Sequence, residues 1–296
     1  MRIFWITLLV VLCAVIAGIF TVQPTFHHET TPSILRVGIL PDENEDALRE
    51  RYDPLLEYLS AKIGVDTRLV LPSDYSDLVR LFRDREVELA NFGGLTFVRA
   101  HVLYDAMPLV MRDVDTRFTS WFLVKDGEAA HDLTDFKGKR FTFGSRLSTS
   151  GHLMPRHFLQ TEMQIIPEEF FSEVRYSGAH DKTVNLVRDG VVDLGVANSE
   201  IVRTMARVGR VNENDLRVLW ETPPYNDYVW AVHDDLNEGI KTQLRDAFLE
   251  LNADDSVQGK ILKGMGTEGF LPAGDRDFLL LQQIAGTLGL LHPKIK

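Results

Sequence analysis

From Ile34 onward, short apolar runs alternate along the chain with amphipathic segments. Residues 35–40 have the length and composition of a buried strand, and residues 52–63 then place apolar side chains at helical spacing on one face. The same criteria predict two further strands, at 69–71 and 89–92, and two further helices, at 75–83 and 95–103. Strands that alternate with helices in this way indicate an α/β fold.

A second set of alternating segments follows the strand-like run 121–124. It predicts strands at 140–143, 174–176 and 194–198, a helix that ends at 160 and a helix at 180–188. At an offset of 105 residues, segment 81–90 aligns with 186–195, with Leu, Arg, Asp, Val and Leu in common. Although any two helix–turn–strand units look alike, the match favours two similar α/β lobes with a cleft between them.

Two chain crossings between these lobes are expected, one near Ser120 and one near Asp227. The second is indicated by a Pro-rich stretch, 221–227, that leads into the apolar run 228–232. Two crossings would form a hinge. We predict a linker at 23–33, the first part of lobe 1 at 34–119 and lobe 2 at 120–225. Residues 226–296 then complete lobe 1 and add C-terminal helices.

The N-terminal segment, residues 1–22, is almost entirely apolar after Arg2. A cleaved signal peptide is one interpretation, because Val15 and Ala17 precede Gly18 as in a signal-peptidase site. An uncleaved membrane anchor is the other, since roughly 20 apolar residues span a bilayer. A lipoprotein is disfavoured, because Leu12 stands before Cys13 where a small residue is required. Either remaining interpretation exports the rest of the chain, so a periplasmic location is expected.

Charge and cysteine content exclude several classes of function. The chain has 32 Lys+Arg against 43 Asp+Glu, a formal net charge of −11, which argues against nucleic-acid binding. Its single cysteine, Cys13, lies in the export segment. The exported part therefore offers no disulfide, no Cys-ligated zinc site and no cysteine nucleophile. We predict no metal and no cofactor.

Three consecutive hydroxyl residues, Ser148, Thr149 and Ser150, stand with Gly151 between a predicted strand and a predicted helix. The N–H groups of a helix N-terminus and nearby hydroxyls suit a tetrahedral oxyanion. Ordinary helix capping is the alternative, since Ser and Thr are preferred N-caps. One hydroxyl suffices for a cap, so three in a row favour the anion site.

Three further candidates follow from position. The 105-residue offset places Tyr75 over His180, each at the start of a helix, so the two side chains should enter the cleft from opposite sides. Asp227 lies at the inferred hinge. An ionised carboxylate only accepts hydrogen bonds, so Asp227 would bind an oxyanion that carries an O–H and reject one that does not. Phosphate, phosphite and phosphonate monoanions carry that proton, whereas sulfate does not.

These motifs resemble the PhnD-like periplasmic solute-binding proteins, which serve ABC importers of phosphonate, phosphite or phosphate. The resemblance covers nearly all of residues 35–272 and is carried by Asp74-Tyr75, by the segments 90–96, 148–155 and 177–181, and by 222–227. It implies a two-lobed type II periplasmic-binding fold with a hinge of two crossings. It also implies that Ser148, Thr149 and Ser150 hold the phosphorus-bound oxygens, that Tyr75 and His180 donate hydrogen bonds, and that Asp227 accepts the ligand's proton.

One position departs from the family pattern, because Phe92 stands where members often have a tyrosine. The leading interpretation remains a binding protein, not an enzyme, with an ABC permease as partner. A membrane-anchored sensor subunit of a signalling kinase is the alternative with the same fold. A hydrolase built on Ser148 or Ser150 with His180 and Asp227 is disfavoured, because no Gly-x-Ser-x-Gly motif occurs.

Overall fold

The computed structural model describes residues 32–212 and 214–292. The predictions made for residues 1–31 lie outside the described residues. Within the described ranges, the strands form two mixed sheets. The first contains β1 (Ile34–Ile39), β2 (Asp66–Val70), β3 (Leu89–Phe92), β4 (Ala106–Arg112), β10 (Val229–His233) and β11 (Phe270–Pro272). The second contains β5 (Ser120–Lys125), β6 (Arg140–Phe143), β7 (Glu173–Tyr176), β8 (Leu194–Asn198) and β9 (Leu216–Glu221). We name the two sheets and their helices lobe 1 and lobe 2.

Ten α-helices of the described residues cover the sheets. Lobe 1 carries α1 (Glu45–Ile63), α2 (Tyr75–Arg83), α3 (Gly94–Tyr104), α8 (Glu238–Leu249), α9 (Gln258–Met265) and α10 (Leu279–Thr287). Lobe 2 carries α4 (Met154–Thr161), α5 (Pro167–Phe170), α6 (His180–Arg188) and α7 (Ser199–Arg207). Short 3₁₀ segments occur at Asp113–Arg117, Leu133–Phe136 and Asp275–Phe278, and a π-helical turn at Thr149–Leu153. No helix of the described ranges is long and apolar enough to cross a bilayer.

The two sheets repeat one topology. In lobe 1 the order is β11-β4-β10-β3-β1-β2, and in lobe 2 it is β7-β6-β8-β5-β9. The first strand of each lobe's repeat, β1 or β6, pairs in parallel with two neighbours. The strand that enters from the other lobe, β10 or β5, pairs antiparallel beside β3 or β8. The α/β prediction of two similar lobes is therefore confirmed.

The internal repeat extends to matching ion pairs. Arg36 at the start of β1 binds the Glu88 carboxylate and donates to the Arg85 carbonyl oxygen. In lobe 2, Arg140 binds Asp193 and donates to the Gly190 carbonyl oxygen in the same manner. Both accepting carbonyls belong to residues with a left-handed backbone, at φ 56° for Arg85 and 68° for Gly190. The offset seen in the sequence thus corresponds to one structural unit present twice.

Two crossings join the lobes, between β4 and β5 and between β9 and β10. They are held side by side, because the N–H of Phe118 donates to the Tyr225 carbonyl oxygen at 2.7 Å and the reverse bond is 3.0 Å. Ser120 and Thr222 exchange a second pair, with N···O distances of 2.9 and 3.0 Å. Such a paired two-strand connection is suited to hinge bending.

Apolar clusters cover both faces of each sheet. One of these clusters also joins the lobes, because Leu153, Met154 and Phe158 of lobe 2 pack with the buried side chains of α2, α3 and α10. The cleft walls are consequently in contact in this structure. Polar groups enclosed between them are shielded from water, which strengthens their electrostatic interactions.

Most predicted elements agree with the structure, and the differences have local causes. The strand expected at 69–71 is β2, Asp66–Val70, because parallel pairing with β1 extends it toward its N-terminus. The helix expected to end at 160 begins as the π-helical turn, since Pro155 has no N–H to donate. The Gly151 carbonyl oxygen, four residues earlier, instead accepts from the Gly144 N–H at 2.8 Å.

Candidate functional site

The Ser-Thr-Ser-Gly segment forms the π-helical turn at one wall of the cleft. Ser148 is its N-cap, and the Ser148 hydroxyl accepts a hydrogen bond from the Gly151 N–H at 2.8 Å. A Cβ on Gly151 would lie 3.0 Å from Gly144 Cα, His180 Cε1 and Ser148 Oγ, so the turn requires glycine there. Ser148, Thr149 and Ser150 are all buried. The segment therefore contains a capped helix start together with two further buried hydroxyls, those of Thr149 and Ser150, that the cap does not use.

His180 lies beside this turn at the N-terminus of α6. Its Nδ1 accepts a hydrogen bond from the Asn198 N–H at 3.2 Å, which leaves the proton on Nε2. Nε2 lies 3.4 Å from the Ser148 hydroxyl oxygen. Burial lowers the pKa of His180 to about 3, so the ring is neutral at physiological pH. His180 thus offers one N–H donor of defined direction and no positive charge.

Asp227 lies where the second crossing meets the N-terminus of α3. Its Oδ1 accepts from the Gly94 N–H at 2.9 Å, and the next N–H, of Leu95, donates to the Thr149 hydroxyl oxygen at 3.0 Å. A Cβ on Gly93 would lie 3.6 Å from both Asp227 Oδ1 and Thr149 Oγ1. The first turn of α3 in lobe 1 is therefore bonded to the hinge carboxylate and to the lobe 2 turn.

The carboxyl group of Asp227 is unusually easy to protonate. Burial raises its pKa to about 7, although the Gly94 N–H and the Thr149 and Ser150 hydroxyls act in the opposite direction. Asp115 adds a further negative charge nearby. Near neutral pH, Asp227 is thus close to equal populations of its ionised and neutral forms.

Three of the six predicted residues end in a buried polar atom without a hydrogen-bond partner of normal geometry. These atoms are the Tyr75 hydroxyl, the Ser150 hydroxyl and Asp227 Oδ2. Burial raises the pKa of Tyr75 well above its ordinary value, so its hydroxyl keeps its proton and can donate. An unpartnered buried polar group costs about 1–3 kcal/mol, so its occurrence at three neighbouring positions indicates a ligand site.

The structure brings all six predicted residues together. The Ser148 hydroxyl lies close to both Tyr75 and His180. Against the burial that raises the pKa of the Tyr75 hydroxyl, it acts to lower that pKa, and its oxygen is 3.4 Å from Nε2 of His180. Thr149 and Ser150 lie close to the Asp227 carboxylate. Phe92, the position where family members often have a tyrosine, instead belongs to the apolar core. Its ring is fully buried and packs edge-on against Phe82, with ring centroids 5.3 Å apart.

Four polar residues around the site are not identified by sequence reasoning. The Asn198 amide donates to the Tyr228 hydroxyl at 3.0 Å, and Tyr228 donates to the Asp42 carboxylate at 2.7 Å. The backbone of Asp42 accepts from the His180 N–H across the cleft at 3.0 Å. The fourth residue, Tyr225, places its hydroxyl against Ser120 at the hinge. The sequence signals for these residues were that Tyr225 lies in the Pro-rich segment 222–227 and that Tyr228 follows Asp227.

Metal binding is not indicated by the described part of the chain. Within residues 32–212 and 214–292, no cluster of three or more His, Cys, Asp or Glu side chains has the spacing of a metal site. The six predicted residues and the helix N-termini beside them bring together hydroxyls, one neutral imidazole, backbone N–H groups and the carboxylate of Asp227. That set suits a small oxyanion with one acidic hydrogen.

Comparison with known proteins identifies relatives along most of the chain. The probable ABC transporter phosphite binding protein PhnD1 of Prochlorococcus marinus is 30% identical over 274 residues, which cover 89% of this chain and 92% of that protein. The phosphate-import protein PhnD of Mycolicibacterium smegmatis is 28% identical over 255 residues, 82% of this chain and 77% of that protein.

A solved structure gives the same result for the fold. The structure of Prochlorococcus marinus PhnD1 in complex with methylphosphonate matches with a TM-score of 0.83 at 29% identity, and the match covers 88% of this chain and 100% of that one. Residues 37–278 also match the family model described as "ABC transporter, phosphonate, periplasmic substrate-binding protein". The chain therefore belongs to the periplasmic phosphonate-binding proteins of ABC transporters, a family of transport components and not of enzymes.

Proposed function

We propose that the protein binds a phosphorus oxyanion at the six residues gathered in the cleft. Its phosphorus carries two oxygens, one OH and a small fourth substituent, as in the monoanions of phosphite, phosphate and methylphosphonate. The observation that carries this proposal is the convergence of three unpartnered buried polar atoms, on Tyr75, Ser150 and Asp227. Two of them are donors and one is an acceptor. A tetrahedral monoanion with one P–OH group satisfies all three.

Within this proposal, lobe 2 supplies most of the donors. The hydroxyl oxygen of Ser148 already accepts from the Gly151 N–H, so its hydrogen can be donated to the ligand. The Thr149 hydroxyl accepts from the Leu95 N–H and also lies against the Asp227 carboxylate. Ser150 and the Nε2–H of His180 add two more donors. Because none of these groups is cationic, neutral dipoles bind the anion in a protein of net charge −11.

Asp227 supplies the selectivity in this proposal. Oδ1 is occupied by the Gly94 N–H, so Oδ2 is the atom that faces the ligand. One proton lies between Oδ2 and a ligand oxygen, whether it is assigned to the carboxyl group or to the anion. A fully deprotonated anion against an ionised Asp227 brings two negative oxygens together, which costs several kcal/mol in a buried site.

Delivery to an ABC importer follows from the family, whose members bind small phosphorus ligands and act with a permease partner. We propose export to the periplasm for this chain as well, with the apolar segment 3–22 either cleaved or kept as an anchor. A sensor subunit for a membrane kinase remains the second candidate only if segment 3–22 is kept as an anchor. An anchored protein stays beside its membrane partner, as such a sensor requires.

Calorimetric titration of the protein without residues 1–22 tests the proposal. The panel consists of phosphite, phosphate, methylphosphonate and sulfate at pH 7. We expect one-to-one binding of at least one of the three phosphorus oxyanions, and little heat with sulfate. The absence of heat with all three, from a protein shown to be folded by circular dichroism, would contradict the assignment.

A further inference from the structure

A groove of about 320 Å³ lies on the surface where the two lobes meet. Lobe 1 contributes the start of α1 and the middle of α9, and lobe 2 contributes the end of α7 and the turn that follows. Five of the residues that line it are cationic and two are acidic, namely Arg51, Arg207, Arg210, Lys260, Lys263, Glu43 and Glu50. We name this feature the basic groove. It is a local excess of positive charge on a chain of net charge −11.

The cations of the basic groove differ in how far they are neutralised. Arg51 forms an ion pair with buried Glu43. Arg210 of lobe 2 reaches across to lobe 1, at 3.7 Å from Glu43 and 4.0 Å from Glu50. Within the described residues, however, no ion pair is formed by the remaining three cations, which are all exposed: Arg207, Lys260 and Lys263.

The composition of the groove couples it to closure of the cleft. Arg207 and Arg210 belong to lobe 2, whereas Lys260 and Lys263 belong to lobe 1, so a hinge rotation changes the distance between the two pairs. The positive field is therefore concentrated only when the lobes are apposed as in this structure. A partner that binds both pairs distinguishes the closed form from the open form by differential affinity.

We propose that the basic groove is the surface through which the closed protein docks on its permease, and that it receives an acidic periplasmic segment of that permease. The proposal rests on the proposed function, since a transport protein delivers its ligand by docking on a permease in the ligand-closed form. A concave site with three unpaired cations fits an inserted chain bearing several carboxylates. A flat anionic bilayer fits it less well, because the groove is recessed between two lobes.

The test compares two double charge reversals. Arg207→Glu/Lys260→Glu changes one exposed cation of the groove in each lobe. The matched control, Arg68→Glu/Lys137→Glu, also changes one exposed cation in each lobe, away from the groove. Both variants change net charge equally. Each labelled protein, saturated with phosphite, phosphate and methylphosphonate together, is titrated against nanodiscs that hold the cognate permease–ATPase complex, and against phosphatidylglycerol nanodiscs without it.

We expect the groove variant to bind the transporter nanodiscs about tenfold more weakly than the wild type, as for charges at a complementary interface. The control variant should bind like the wild type, and calorimetric affinity for the oxyanions should be unchanged in both. Equal weakening in both variants, or no weakening in either, would overturn the proposal. So would a loss confined to the lipid-only nanodiscs. If the wild type binds none of the oxyanions, the proposed function fails instead, and calorimetry shows this separately.

Discussion

The two walls of the cleft use their hydrogen-bonding groups differently. On the lobe 2 wall, Ser148 and His180 have their acceptor sites occupied by the N–H groups of Gly151 and Asn198, so their hydrogens remain available. On the lobe 1 wall, the first N–H groups of α3 donate to Asp227 and Thr149. Among the described residues predicted for the site, Tyr75 is the one that presents an unpartnered donor from the lobe 1 side.

This difference indicates a division of labour between lobes built on one topology. Lobe 2 is organised in advance by its own backbone, so in the proposed site it would hold the anion before the cleft closes. Lobe 1 contributes mainly contacts that exist when the walls meet, including the Leu95–Thr149 and His180–Asp42 bonds. Ligand contacts from the second wall are what favour a closed form. Substitutions in the two walls should accordingly differ in size of effect.

The largest expected effect comes from the lobe 2 wall. Ser150→Ala removes a buried hydroxyl that has no hydrogen-bond partner of normal geometry in the protein. Affinity for the oxyanion should therefore fall about 10- to 100-fold, the equivalent of a lost hydrogen bond to a charged group. Thermal stability should not fall. Ser148→Ala is the matched comparison, because it also removes the cap of Gly151 and should lower the free energy of unfolding by about 1 kcal/mol.

Calorimetry and thermal unfolding of these two variants sharpen the comparison between the walls. A Ser150→Ala protein with unchanged affinity would remove that hydroxyl from the site. A Ser148→Ala protein with unchanged stability would show that the π-helical turn does not depend on its cap, and would weaken the view that lobe 2 is organised in advance.

A smaller effect is expected from the lobe 1 wall. Tyr75→Phe should weaken oxyanion binding about tenfold without loss of stability, because the Tyr75 hydroxyl is buried and unpartnered. Tyr52→Phe is the control on the same lobe, since the Tyr52 hydroxyl donates to Asn91 Oδ1 at 3.0 Å and bonds to none of the six site residues. It should lower the free energy of unfolding by about 1 kcal/mol and leave affinity unchanged. Unchanged oxyanion affinity in Tyr75→Phe, together with weakened affinity in Tyr52→Phe, would contradict the proposed position of Tyr75.

Much of the fold could be predicted because local pattern and topology agree. Helices α2 and α6 and strands β3, β6 and β8 have the predicted bounds, since each is a short apolar element between clear turn signals. The 105-residue offset was visible in the sequence because the aligned segments fold as the same helix–turn–strand unit, in which Glu88 and Asp193 bind Arg36 and Arg140.

The polar network around the site could not be predicted, because it depends on contacts between residues far apart in the chain. Asn198, Tyr228 and Asp42 are single residues without a motif, and only the folded chain brings them into one hydrogen-bonded series. The raised pKa of Asp227 likewise depends on burial, which no local pattern near a Pro-rich turn indicates. The segment Ser148–Ser150, in contrast, could be chosen from the sequence as a candidate site, because three consecutive hydroxyl residues exceed what a helix cap requires.

We propose that Asp227 and the ligand share one proton. Because the Asp227 pKa is raised to about 7, and the second ionisation of a phosphate monoester lies near pH 6, each binding event above neutral pH takes up a proton. Affinity of the wild type should then fall about tenfold per pH unit as the pH rises from 7 to 9. Asp227→Asn places an N–H donor at the Oδ2 position, since the Gly94 N–H keeps the amide oxygen at Oδ1.

The most direct measurement is therefore oxyanion affinity as a function of pH for the wild type and for Asp227→Asn, by calorimetry in buffers of different ionisation enthalpy. The account predicts net proton uptake and falling affinity for the wild type above pH 7. For Asp227→Asn it predicts a flat profile and measurable sulfate binding. Parallel pH profiles for the two proteins, with sulfate still rejected by the variant, would contradict it.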